Sequence, residues 1–170
     1  MSRPLESVRV DPLAPGDTAT VQAVFDVLSE EQRAQRFHVP MPRLSSYMLR
    51  HLADVDGTSR VALVLSVAQR PAGIARYATT APAVAELAIA VGAEYANRGY
   101  GRRLLNELLM HAAVSGVTSM EFEFMSGNAV VRHLAVTQGA VTRRTGLTVT
   151  GTLPIPPVAA YLRDHQPMIG

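Results

Sequence analysis

One carboxylate and one pair of glycines could do chemistry in the middle of the chain. The stretch VAELAIAVGAEYANRGYGRRLL sets Glu86 early in an alternating apolar run. It then places Gly99 and Gly101 one residue apart, followed at once by Arg102 and Arg103. A glutamate beside small side chains can take a proton from a bound nucleophile. Paired glycines at a helix start can hold an anion. The first helical N–H groups lack internal partners, the dipole is positive there, and glycine permits close backbone approach. Arg98, Arg102 and Arg103 add guanidinium groups that suit phosphate. In isolation, an ordinary glycine turn and a solvated strand glutamate would read the same way.

Two phosphate-loop alternatives do not fit. A Walker loop needs GxxxxGK[ST], and the chain has no lysine; all 16 of its basic residues are arginine. A dinucleotide fingerprint needs a third glycine where Leu104 stands, inside a parallel βαβ unit. The absence of lysine also excludes Schiff-base chemistry. Coding bias, or avoidance of self-modification by a lysine-modifying enzyme, would each produce it.

Other polar residues compete. Glu121 and Glu123 share one face of the strand TSMEFEFM; a solvated face is the simple reading, with Glu123 also a candidate pocket acid. Asn128 can cap a helix or bond amides of a ligand. His111 reads as helix packing and His133 as a minor candidate for proton transfer. His38 and His51 stand alone, and no HxxH or HExxH spacing exists, so no metal site is expected. Tyr95 and Tyr100 flank the glycine loop, with Tyr100 placed to pack on a ligand.

The elements that must position these groups follow from periodicity. A strand at 7–13 precedes helices from about 17 to 36 and from about 44 to 53, separated by a proline-containing loop. Three strands, 61–69, 72–80 and 84–91, follow with short connections, which predicts an antiparallel meander. A long amphipathic helix over 99–114 turns Leu104, Leu105, Leu108, Leu109 and Ala112 inward. A strand at 118–125, a helix at 128–138 and a last strand pair or bent strand at 140–151 complete the pattern. Residues 152–170 hold four prolines and read as an irregular surface tail. The predicted class is α+β: a mixed, mostly antiparallel central sheet flanked by helices.

Composition sets the outer limits. The 170 residues suit one domain, residues 1–170, and 48% apolar content suits a globular core. The absence of cysteine excludes disulfides and a thiol nucleophile. No apolar run is long enough to span a bilayer, no signal peptide is legible at the start, and a formal charge of +2 gives no case for nucleic acid. The expectation is a cytoplasmic protein that binds neither membrane nor nucleic acid.

With these residues in view, VAELAIAVGAEYANRGYGRRLLNELL resembles the acyl-CoA-binding motif of the GNAT acyltransferase superfamily, and SGNAVVRHLAVTQGA resembles its second motif. The element order agrees over about residues 7–150. More narrowly, VFDVLSEEQRAQRF and MPRLSSYMLRHLADVD, with the strands that follow, are similar to the acetyltransferase domain of bacterial Pat-type protein lysine acetyltransferases.

The resemblance implies an N-acetyltransferase that uses acetyl-CoA as cosubstrate and a primary amine, a protein lysine or a small molecule, as acceptor. It implies Glu86 as general base. It implies cofactor contacts from Ala88, Ile89, Ala90 and Val91 in the strand, from Ala96, Asn97, Arg98, Gly99, Tyr100, Gly101, Arg102 and Arg103 at the loop and helix start, and from Asn128. The family often forms homodimers, though nothing here fixes a symmetry. Three positions depart from its pattern. Ala96 replaces the usual Gln or Arg, Ala140 the aromatic residue after the glycine, and Ala135 the tyrosine that serves many members as an acid. Those departures leave open a non-catalytic acyl-CoA-binding regulator, or an enzyme that prefers other acyl chains.

Overall fold

The computed structural model describes residues 6–164. The chain begins with β1 (Val8–Pro12), α1 (Thr18–Val27), α2 (Glu30–Phe37) and α3 (Ser46–Ala53). The meander β2 (Arg60–Val67), β3 (Arg70–Ala81) and β4 (Val84–Val91) follows. Then come α4 (Tyr100–Val114), β5 (Ser119–Met125), α5 (Ala129–Thr137), β6 (Val141–Thr145), β7 (Thr148–Pro154) and α6 (Val158–Asp164). The strands form one seven-stranded sheet in the order β1-β2-β3-β4-β5-β7-β6. Every neighbouring pair is antiparallel except β4 and β5, which run parallel.

Local signals explain the helix starts. The Asp17 carboxylate accepts from the Thr20 N–H at 2.9 Å and opens α1. Ser29 and Gln32 exchange side-chain and backbone bonds in a full capping box at α2. Ser45 accepts from the Met48 N–H at 3.2 Å and opens α3. Asp56 accepts from the N–H groups of Thr58, Ser59 and Arg60 and fixes the turn into β2. The Ser59 hydroxyl and these amides hold its carboxyl well below the usual carboxylate range.

Strand alternation sends β2 into two cores at once. Val61, Leu63, Leu65 and Val67 pack with Leu104, Leu105, Leu108 and Leu109 of α4 on one face. Ala62 and Val64 pack with Val21, Val24, Phe25 and Ala53 of α1 and α3 on the other. The α4 residues expected inward are the buried ones. One expectation needs correction: residues 152–170 are not an irregular tail throughout. Thr152–Pro154 completes β7, because Leu153 is buried and the segment pairs with β5, and Val158–Asp164 is helical. The prolines at 156 and 157 fall between these two elements, where no backbone N–H is needed. The remainder, 165–170, lies outside the described residues.

Candidate active site

β4 and β5 are ladder partners for three residues only: Val84 with Ser119, Ala85 with Met120, and Glu86 with Glu121. Past Glu86 the strands part. β4 stays with β3 as far as Val91, and β5 stays with β7 as far as Met125. Residues 87–91 therefore have no β5 partner and face a cleft of about 600 Å³, a size suited to a small-molecule ligand. At about 3.3 Å per residue, Val91 lies about 17 Å along the strand from Glu86.

Each wall has a separate origin. Ala85 and Leu87 are buried against the α4 core, so alternation turns Glu86 to the opposite face, where it is exposed. Ala88 and Ala90 share that face and leave room beside the carboxylate. At the far end of β4, Tyr95, Ala96, Asn97, Gly99, Tyr100 and Gly101 close the cleft. Phe122 and Phe124 of β5, with Val131, Leu134 and Ala135 of α5, supply an apolar lining.

The start of α4 is open. Gly99 is its N-cap at φ 77°, and no side chain caps it. The N–H groups of the first turn thus point outward with the positive end of the helix dipole. A Cβ on Gly99 would meet nothing within 4 Å, so glycine serves the left-handed backbone rather than space. Gly101 has the opposite reason. A Cβ there would lie 3.4 Å from Leu134 Cδ1 and 3.9 Å from Val91 Cγ2, so its absence keeps the helix start close to β4 and α5.

Of the residues expected to hold a cofactor, Ala88, Ile89, Ala90, Val91, Ala96, Asn97, Gly99, Tyr100, Gly101 and Asn128 are brought together in this cleft with Glu86. Asn128 caps α5, its side-chain oxygen accepting from the Val131 N–H at 3.2 Å. Arg98, Arg102 and Arg103 stand outside the wall. Arg98 lies 3.5 Å from Glu6, and Arg103 lies 4.0 Å from Glu107. Glu121, His111 and His133 are also outside it, whereas Glu123 lines it.

The wall that sequence reasoning missed is α2. Gln32, Gln35, Arg36, Phe37 and His38 line the cleft opposite β4. Gln32 Nε2 donates to the Val91 carbonyl at 2.6 Å, tying α2 to the end of β4. Arg33 donates to the Phe25 and Pro42 carbonyls, both at 3.2 Å, and lies over the Phe25 ring. His38 Nδ1 sits 3.2 Å from Glu123 Oε1, joining α2 to β5. Between these anchors lies Arg36, half-buried. Burial pushes its guanidinium down to about 10; Arg76 adds repulsion, and the Glu86 carboxylate acts in the other direction. A signal for this wall existed. The helix EEQRAQRF has too few apolar residues to bury a stripe in a core, so its contacts had to be polar.

Residues 21–140 match the sequence model of the acetyltransferase (GNAT) family. The chain belongs to the GNAT acetyltransferase family. The GNAT domain of S. lividans PAT has a similar structure, with TM-score 0.80 and 22% identity over 91% of this chain and 99% of that one. The ribosomal-protein-S18-alanine N-acetyltransferase from Escherichia coli aligns with TM-score 0.66 and 20% identity, covering 88% and 94% of the two chains. The Salmonella typhimurium protein yncA, solved with its cofactor acetyl-CoA, aligns with TM-score 0.65 and 17% identity, covering 89% and 95%. The mixed sheet and the parting of its two parallel strands therefore belong to a GNAT fold, and the family is one of acyl transfer. Among the described residues no helix is long and apolar enough to cross a membrane.

Proposed function

We propose that this GNAT protein moves an acetyl group from acetyl-CoA to a primary amine, on a protein lysine or a small molecule, by direct attack within a ternary complex. The observation that carries this reading is a single line of features. Glu86 ends the β4–β5 ladder, strand without a β5 partner follows, and an uncapped helix start with Gly99 lies at the far end. The open amides of α4 suit the pyrophosphate of coenzyme A. The edge of residues 87–91 suits the amides of its pantetheine arm, which brings the thioester toward Glu86.

An amine of pKa about 10.4 is neutral in on the order of one molecule in 10³ at pH 7, so producing the nucleophile costs roughly 4 to 5 kcal/mol. Glu86, directly or through one water, accepts that proton, the neutral nitrogen then bonds to the thioester carbon, and its second proton passes to the departing thiolate as the amide forms. Backbone N–H groups at the parted strands suit the oxyanion of the tetrahedral intermediate. The carbon–sulfur bond then breaks. A thiol of pKa about 8.5 departs readily as thiolate, so apolar Ala135 at the family's usual acid position does not prevent turnover.

Thiol release from acetyl-CoA with a panel of amines tests the reading. Expected is amine-dependent release that saturates in both substrates. Coenzyme A binding without release, across amines and acyl chains, would assign the chain instead to a non-catalytic acyl-CoA-binding role.

A further inference from the structure

Two opposite charges share the cleft without touching. Glu86 and Arg36 both line it, and the side chain of neither forms a hydrogen bond or ion pair with any described residue. The surroundings leave Arg36 singular. Among the described residues it is the one arginine in the cleft wall, and the other basic residue there, His38, is engaged by Glu123. Arg76, behind it, is already committed: its Nη1 donates to the Leu52 carbonyl at 3.0 Å. The nearest aromatic contact of Arg36 is the Phe37 ring, 5.0 Å away. A half-buried guanidinium with an aromatic ring beside it but no acceptor has lost part of its water without gaining a hydrogen bond, and an incoming anion would restore what it lost.

The position of Arg36 separates it from the coenzyme's phosphates. The open helix start lies at the Val91 end of β4, where Gln32 holds the first turn of α2; Arg36 lies one turn further along α2, toward His38 and its partner Glu123 on β5, in the wall that also holds Glu86. Its planar fork matches a carboxylate with two parallel bonds. We propose that the acceptor is zwitterionic: a small amino acid whose amine lies against Glu86 and whose own carboxylate is held by Arg36. This rests on the acyl-transfer reading and narrows it from primary amines in general to free amino acids. In the reaction the ammonium of the zwitterion first gives one proton to Glu86, the freed nitrogen pair bonds to the acyl carbon, the carbon–sulfur bond breaks with its electron pair on sulfur, and the second N–H proton passes to the departing thiolate as the amide forms. The carboxylate on Arg36 undergoes no covalent change, and no further reactant is needed.

The test is calorimetric titration of the whole chain, saturated with coenzyme A, with L-alanine, L-leucine and L-phenylalanine, with their carboxamides, and with an internal-lysine peptide. Expected is at least about tenfold tighter binding of one or more free acids than of the matching amide, the size of a lost charge-assisted pair. In Arg36→Gln that ratio falls to within about twofold, while Arg36→Lys keeps part of it. A purely structural arginine would lower thermal stability without changing the ratio. Amides or the lysine peptide binding as tightly as the acids, no acid binding, or a ratio that survives Arg36→Gln would overturn the proposal; the wild-type comparison decides even where a variant fails to fold. With coenzyme A bound, such a failure removes only the amino-acid acceptor. Absence of coenzyme A binding removes the acyl-transfer reading as well.

Discussion

Glu86 and Glu121 are the last paired residues of β4 and β5, and the strands part immediately beyond them. Parallel neighbours in register point to the same face, so two carboxylates stand side by side at the fork. Only Glu86 also lines the cleft. Glu86→Gln should lower turnover by about 10² or more with coenzyme A affinity retained, and Glu121→Gln should stay within a few-fold. Steady-state kinetics on both variants separates a proton acceptor from a general effect of negative charge, since equal losses would remove the special role of Glu86.

Gly99 and Gly116 bracket α4, and both have positive φ with open space where a Cβ would go. Replacing either by valine should cost roughly 1 to 2 kcal/mol of stability through backbone strain. Coenzyme A affinity should divide them. Gly99→Val weakens it because the first-turn amides move, and Gly116→Val leaves it unchanged. Equal affinities in the two variants would detach the helix start from ligand binding.

Much of this was legible before any coordinates. Period-two alternation located β2, β3 and β4, and short connections made them a meander, because each signal is local. The inward stripe of α4 was legible for the same reason. The cleft was legible only in part. Glu86 and the glycines announce themselves by type and spacing, but Arg36 and His38 come from a helix about 50 residues upstream of Glu86. Their meeting with Glu86 and Glu123 is set by Gln32 on Val91 and Arg33 on Phe25, contacts that no periodicity encodes. The helix at 158–164 was hidden by the prolines before it, which mark its start rather than an absence of structure.

Asp56 gives a pH signature independent of the cleft. Its carboxyl is depressed in the folded chain by the Ser59 hydroxyl and the backbone N–H groups it accepts from. A depressed carboxylate contributes stability above its unfolded pKa of about 3.9, and that contribution fades as pH falls toward the folded value. Asp56→Ala should therefore lower the Tm at pH 7, and the gap to wild type should narrow below about pH 4. A gap that stays constant down to pH 2 would mean that the turn is held by something other than the ionised side chain.

Leu104 is fully buried on α4, in the core shared with β2. Leu104→Ala should cost about 2 to 5 kcal/mol in urea unfolding, through lost burial and the cavity left behind. Asp17→Ala at the start of α1 should cost about 1 kcal/mol, the usual value of an N-cap. The ranking is the check: a cap worth more than the core leucine would contradict the packing described for β2.

Calorimetric titration of acetyl-CoA into the wild-type chain bears most directly on whether the parted strands and the open end of α4 form a coenzyme site. Expected is one molecule bound per chain with Kd on the order of micromolar, weakened by Gly99→Val and by added salt. No heat at millimolar acetyl-CoA, checked at two temperatures, would leave the fold standing and take away its proposed ligand.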